Sequence, residues 1–356
     1  MHKRYLFALH DALGWRTLAE RLRRSLPDQN VAWKVVQLKA TAMQWRLMWQ
    51  PNVSHYGRWH VPLFDSFEVF KLVTARLAKE ASRYDAVFTA TQSMAAGLLR
   101  NKVSVPIVTL IDATRPVIQR DFGATNVSRK RIDAEREVFQ QVAHIFSLSQ
   151  WAASSVVNDC GIGQCKVTLL LPFVPLGVPL AQKTAPPGKL KAIFIGGDFN
   201  RKGGADLLRW YRRILHKYIS LHIVTQRRFH IDVPGVAWHF DIGNDALLTT
   251  LLPTMDVHCH PTKQDMSAIV VAEAAANGIP SIATRVGGIG DLIEDGVTGF
   301  LVENGDEGGF IEKVAEIYHK REILNRMSLA AHQKAAKEFS QKQAIASIIS
   351  VLNRVS

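Results

Sequence analysis

The chain has 356 residues, 47% hydrophobic and 21% charged, which suits two globular domains and excludes a low-complexity or disordered protein. Three cysteines, Cys160, Cys165 and Cys259, are too few and too odd in number for a disulfide framework, and no run of about 18 apolar residues offers a membrane-spanning helix. The formal net charge is +13; residues 1–186 hold 24 Lys+Arg against 13 Asp+Glu, a balance of +11, and residues 187–356 hold 20 against 18, a balance of +2.

The first segment, Met1 to Leu9, begins like a signal peptide, but its apolar stretch is short and Asp11 and Arg16 follow without a small-residue cleavage site. It reads as a first strand, Tyr5–Leu9, of a cytoplasmic protein. A helical pattern follows, with Leu18, Leu22 and Leu26 at four-residue steps and Arg21, Arg23 and Arg24 among them. Ala86–Ala90, Ile107–Ile111 and His144–Leu148 read as buried strands. Helical stretches at Phe67–Arg83, Met94–Arg100 and Arg129–Val142 separate them. Strands alternating with helices imply a parallel sheet with crossovers. Leu169–Pro187, with Pro172, Pro175, Pro179, Pro186 and Pro187, reads as a linker. The rhythm then restarts: strands at Lys191–Ile195, His222–Thr225, Val257–His260 and Ser281–Ala283, helices at Gly203–Leu215 and Ala268–Ala276. The expected domains are 1–180, 181–335 and a C-terminal helix within 336–356 that packs back on the first. In such sheets ligands bind beyond the carboxyl ends of the strands, so the site is expected between the halves.

Two segments carry the chemistry. In the first, a strand ending at Gly196 and Gly197 leads through Asp198 to Arg201 and Lys202, then to a helix opened by Gly203 and Gly204. Glycines permit close backbone approach, and the two cations suit a diphosphate. In the second, Asp265 follows a strand and Glu273 lies eight residues on, slightly over two turns along the next helix. Two carboxylates on one segment can accept from the hydroxyls of a polyhydroxylated ligand. Met266, Ser267 and Ala268 begin that helix, where free N–H groups favour an anion.

Together these segments resemble glycosyltransferase family 4. Lys202-Gly203 matches that family's Lys-Gly, and Asp265 and Glu273, with seven residues between them, match its pair of acids. Glu273-Ala-Ala-Ala-Asn-Gly-Ile-Pro280 and the glycine-punctuated run from Gly287 to Gly299 match the motifs that follow. The resemblance is dense over residues 190–305 and only general over 1–180. It implies an α/β fold of two facing Rossmann-like domains (GT-B type) with an interdomain cleft. The implied activity is retaining, metal-independent transfer of a hexose from a nucleotide sugar, with no cofactor. Lys202 and Arg201 would stabilise the leaving diphosphate, Asp265 would position the hexose and Glu273 would hold the ribose. Gly14, Gly196, Gly197, Met266, Ser267 and Ala268 complete the donor-binding set.

This sequence departs from the family in three places. The first acid is Asp where Glu is usual. The residue after the first loop glycine is Gly197 where many relatives have Arg, and Arg201 is the candidate replacement. Relatives often carry a His after an N-domain strand, whereas the comparable stretch here offers Asp112. A turn or helix-capping role accounts for Asp112 equally well.

No Asp-x-Asp pair, Gly-x-Ser-x-Gly elbow or Walker loop is present. His258-Cys259-His260 lacks a carboxylate or cysteine pair beside it in the sequence, and no metal is expected there. Trp33, Trp45, Trp49 and Trp59 lie among Lys34, Lys39, Arg46 and Arg58, a pattern of sugar-binding, membrane-facing or half-exposed core aromatics. The basic first half points to a phosphorylated or otherwise anionic glycan or glycolipid acceptor, as in lipopolysaccharide or surface polysaccharide synthesis. It leaves open peripheral contact with the inner face of a membrane; nucleic acid is not expected as a partner. A soluble basic surface is the plainer reading. Two rivals stand beside the transferase: a nucleotide-sugar epimerase of the same fold, and a catalytically silent binding protein.

Overall fold

The computed structural model describes residues 3–10, 14–28, 32–38, 50–54, 57–61, 66–124, 127–177, 188–226, 228 and 232–356. The chain divides into two compact units. The first comprises residues 1–170 with 341–356, and the second residues 171–340.

The first unit is built on a parallel sheet of β1 (Arg4–His10), β2 (Ala32–Leu38), β5 (Ala86–Ala90), β6 (Ile107–Ile111), β7 (His144–Ser147) and β8 (Val167–Leu169), in spatial order β2-β1-β5-β6-β7-β8. A separate antiparallel hairpin pairs β3 (Gln50–Ser54) with β4 (Gly57–Val61). Every residue of β5, β6 and β7 is buried, as a sheet covered on both faces by crossover helices requires. On edge strand β2 the residues Trp33, Val35 and Val36 are only half-buried and Lys34 is exposed, so its apolar signal is weak in sequence. The expected linker starts too early, because Leu169 ends β8, paired with Ser147. Residues 178–187 lie outside the described residues.

The last helix, Gln341–Val355, belongs to the first unit. Its Gln341 amide donates to Arg21 O at 3.2 Å and to Ser25 Oγ, and Tyr5 Oη donates to Asn353 Oδ1 at 2.5 Å. Buried Ile345, Ile348 and Leu352 recur at helical spacing along it.

The second unit repeats the plan with β9 (Leu190–Ile195), β10 (Ile219–Thr225), β11 (Val236–Phe240), β12 (Val257–His260), β13 (Ser281–Thr284) and β14 (Gly299–Val302), all parallel, in order β11-β10-β9-β12-β13-β14. β9 and β12 are neighbours, with Val257 opposite Ala192 and His258 opposite Ile193, although 61 residues (196–256) lie between them in sequence. This pairing brings together the loops after the two strands. One face of the sheet packs Phe194, Leu207, Trp210, Tyr211, Phe310 and Ile317 into one core. Each such side chain contributes roughly 1.5–3 kcal/mol on leaving water. No helix among the described residues is long and apolar enough to cross a membrane.

Candidate functional site

The loop from Gly196 to Gly203 leaves the carboxyl end of β9 and enters the helix Gly204–Arg213. That helix forms because Leu207, Leu208, Trp210 and Tyr211 bury one face, while Asp206 in its first turn and Arg212 and Arg213 in its last complement the helix dipole. Gly203 takes φ 80, and a Cβ there would stand 1.8 Å from the carbonyl oxygen of Pro261. Only glycine lets this loop lie against the one after β12. The two loops are then stitched together. Lys263 N donates to Arg201 O at 2.9 Å, and Arg201 Nη1 donates to Gln264 O at 2.8 Å. Thr262 Oγ1 donates to Arg201 O at 3.3 Å.

Lys202 meets Asp265 across these loops. The ammonium forms an ion pair with Asp265 Oδ2, and the same oxygen accepts from His260 Nε2 at 2.9 Å. The other oxygen, Oδ1, accepts from the Ala268 N–H at 3.2 Å. Arg201 spans the site's edge, with Nε 3.2 Å from Asp198 Oδ2. Gly287, at φ 54, lies so close that a Cβ would stand 1.9 Å from Asp265 O, and Gly288 N donates to Met266 O at 3.0 Å.

The electrostatics follow from this crowding. Burial opposes the Asp265 carboxylate, but Lys202, the His260 hydrogen bond and Arg201 together outweigh it and hold the carboxyl far below its ordinary range. Burial lowers the Lys202 ammonium from its usual value, against the Asp265 charge that raises it. His260 and His258 are fully buried and both lowered, so they are neutral at pH 7. Neutral His260 therefore donates its Nε2–H to the carboxylate.

The helix after this loop runs Ile269–Ala276, one residue later than expected at its start; Ala268 is its N-cap, in the left-handed region at φ 33. Met266 and Ser267 lie in the loop and are partly exposed. The helix reads Ile-Val-Val-Ala-Glu-Ala-Ala-Ala, and Glu273 is its one charged residue, 3% exposed. A carboxylate in an otherwise apolar buried helix is costly to keep for packing alone.

Gly196 and Gly197 follow β9 directly. Gly196 is closed in by Phe194 and Lys202, whereas a Cβ on Gly197 would meet only Gln226, at 3.5 Å. Two further candidates lie in the first unit and are not among these contacts. Gly14 opens the helix Gly14–Ser25 after β1. Asp112 follows β6, at the carboxyl end of the sheet. Its loop is held by buried Glu135, which accepts from Arg115 N at 2.7 Å and from Gln92 Nε2 at 3.0 Å. Thr114 Oγ1 caps the next helix by accepting from Val117 N at 3.4 Å. Of the aromatic–basic cluster, Trp33 is half-buried on β2, Trp45 and Trp49 lie outside the described residues, and the Trp59 side chain is not described.

Sequence reasoning missed two residues of the second unit. His260 was set aside because no carboxylate stands beside it in the sequence; the carboxylate five residues on folds back to it. Gln264 is fully buried, and neither side-chain amide atom has a hydrogen-bond partner among the described residues. Its signal was a polar residue beside the first acid of the pair. Among the described residues no group of three or more His, Cys, Asp or Glu is placed to hold a metal.

Residues 189–320 match the family described as glycosyl transferases group 1. This span lies within the second unit. Of curated proteins, the N-acetyl-alpha-D-glucosaminyl L-malate synthase of Bacillus anthracis is 29% identical over 104 residues, 29% of this chain and 27% of that protein. The MMP alpha-(1->4)-mannosyltransferase of Mycolicibacterium hassiacum is 22% identical over 254 residues, 67% of this chain and 59% of that protein. The chain thus spans less than two thirds of each. Among solved structures, the sucrose-phosphate synthase of Thermosynechococcus elongatus superposes with a TM-score of 0.79 at 15% identity, covering 99% of both chains. Anabaena HepE in complex with UDP and glucose superposes with a TM-score of 0.70 at 14% identity, covering 98% of this chain and 100% of that one. At these identities the likeness establishes the fold, two Rossmann-like units of the GT-B class. The span that matches the family model contains Lys202, Asp265 and Glu273.

Proposed function

We propose that the chain is a retaining, metal-independent glycosyltransferase of the family 4 type, moving a hexose from a nucleotide-sugar donor to an anionic glycan or glycolipid. The observation that carries this reading is the meeting of Lys202 and Asp265 at the carboxyl ends of adjacent strands β9 and β12, before the helix that buries Glu273. Such strand ends are where α/β sheets bind nucleotides.

In this reading Lys202, Arg201 and the N–H groups near Ser267 face the donor diphosphate. Negative charge grows there as the sugar leaves, and pre-placed cations and dipoles stabilise it most in the transition state. A diphosphate competes with Asp265 for the Lys202 ammonium. Asp265 then accepts from a hexose hydroxyl, with His260 and Ala268 N fixing the carboxylate. Glu273 accepts from the ribose diol. Gly196 and Gly197 keep backbone close to the donor; Gly14 and Asp112, in the first unit, stay candidates on the family resemblance. No cofactor takes part. The relatives support the donor class: HepE is in complex with UDP and glucose, and the Mycolicibacterium protein is a mannosyltransferase. The +11 balance of residues 1–186 supports an anionic acceptor, with the protein working in the cytoplasm or at the inner membrane face.

The test is a thermal-shift panel of UDP-, GDP- and ADP-sugars on the whole chain, with EDTA throughout. One nucleotide class should stabilise the fold by about 2.7 kcal/mol at a hundredfold excess over its dissociation constant. Chelation should not abolish the effect, and the product formed with an acceptor should keep the donor's anomeric configuration. Silence toward all three classes, or dependence on added manganese, would sink the reading. Epimerised donor formed without acceptor would favour the epimerase instead.

A further inference from the structure

The loop that carries Lys202 has a second face. Arg201 and Lys202 engage the 261–268 segment, whereas Phe199 and Asn200 line a separate cavity of about 480 Å³ against the outer side of the helix Gly204–Arg213. Its aromatic wall is Phe199 and Trp238, with ring centroids 6.1 Å apart. Trp238 in turn stacks on Phe240 at 5.9 Å with 7° between the ring planes, which fixes the indole in place on edge strand β11. Phe199 is braced from behind by Phe194, edge-on at 5.6 Å.

The same cavity is lined by Arg209, Arg212 and Arg213, which helical spacing brings to one side of the helix. Arg209 pairs with Asp206 at 2.8 Å and Arg213 with Glu307. Arg212 has no ion-pair partner among the described residues. Asp206 is shared with Lys263 at 2.9 Å, so its charge is divided between two cations. The cavity therefore keeps an excess of positive charge beside a rigid aromatic face, and Asn200 adds an amide that donates and accepts.

We propose that this cavity binds a phosphorylated monosaccharide. A guanidinium presents paired donors to phosphate oxygens, which is why arginine serves phosphate recognition. An indole face suits the C–H side of a pyranose ring, and the volume falls within the range of small-molecule sites. Neither Lys202 nor Asp265 lines it, so the site is distinct from the proposed donor site and does not depend on glycosyl transfer. Its ligand rests on Phe199 and Asn200, whose carbonyls accept from Gly204 N at 2.7 Å and Gly203 N at 3.1 Å and so hold the start of the helix behind Lys202.

Isothermal titration of the whole chain with glucose 6-phosphate, glucose and inorganic phosphate tests this. Glucose 6-phosphate should bind once per chain, with glucose and phosphate each at least about tenfold weaker. Arg212→Gln removes an exposed side chain at little risk to folding; loss of one charged hydrogen bond should weaken binding about tenfold or more. Trp238→Leu should do the same, with circular dichroism reporting an intact fold. Lys202→Ala should leave the affinity unchanged. No binding of the sugar phosphate, equal affinity for inorganic phosphate, or loss in Lys202→Ala rather than Arg212→Gln would each overturn the proposal.

Discussion

Asp265 shows how one side chain takes its character from its surroundings. Its oxygens receive Lys202, His260 and the Ala268 N–H, and the resulting field overcomes the burial that disfavours a charge. Lys202 and Glu273 should therefore fail in different ways if the proposed roles hold. Lys202→Ala removes a cation from the leaving group, where charge grows in the transition state, so kcat should fall by roughly 10²–10³. Glu273→Gln removes the anionic acceptor for a ribose diol, an interaction used in ground and transition state alike, so the donor KM should rise most. Lys202→Ala also strands a buried carboxylate, which can cost about 3–5 kcal/mol of stability. Lys202→Arg keeps the charge, separates folding from catalysis and should recover part of kcat. A folded Lys202→Ala enzyme with unchanged kcat would show that the ammonium does not act on the diphosphate.

At the scale of elements, the site rests on two loops pressed closer than side chains allow. Gly203 and Gly305 have nearly the same φ, 80 and 85, yet a Cβ on Gly203 meets Pro261 O at 1.8 Å while one on Gly305 meets nothing within 4 Å among the described residues. Gly305→Ala should cost only the left-handed strain, about 1–2 kcal/mol. Gly203→Ala bears that strain plus the clash, and should be clearly more destabilising while weakening nucleotide-sugar binding. Denaturant melts of the two variants measure the difference. Equal losses would mean that the β9 and β12 loops tolerate separation.

For the whole molecule, buried histidines in both units make acid the vulnerable side. Burial, with Arg354 and Lys166 nearby, lowers His144 in the first unit to about 4; burial, reinforced for His258 by His260 and Lys202, lowers the His258–His260 pair in the second. Their folded values lie below the unfolded value, so the unfolded chain binds more protons and stability rises with pH in that window. As pH falls from about 6.5 toward 4, His144 should remove about 1.4 kcal/mol per pH unit, and the His258–His260 pair should add to the loss in the same direction. Urea melts between pH 7 and 4.5 should show this slope, and His144→Asn should reduce it for the first unit. A flat profile over that range would contradict the burial of these rings as neutral groups.

The alternation of apolar runs with amphipathic stretches was enough to determine an α/β chain of parallel sheets, because crossover helices bury both faces and leave strands such as β5 and β6 apolar throughout. Edge strands β2 and β11 escaped that reading, since partial exposure mixes polar residues into them. The resemblance to glycosyltransferase family 4, carried by Lys202-Gly203 and the acid pair, placed Lys202, Asp265 and Glu273 in one candidate set. Strand order was beyond it: β9 pairs with β12 across 61 intervening residues, and local periodicity carries no information on such non-local pairing. Only the tertiary structure decided that Lys202 faces Asp265, that His260 folds onto the same oxygen and that Gln264 is sealed beside them. These contacts depend on two loops meeting through the close approach at Gly203, which a one-dimensional pattern does not record.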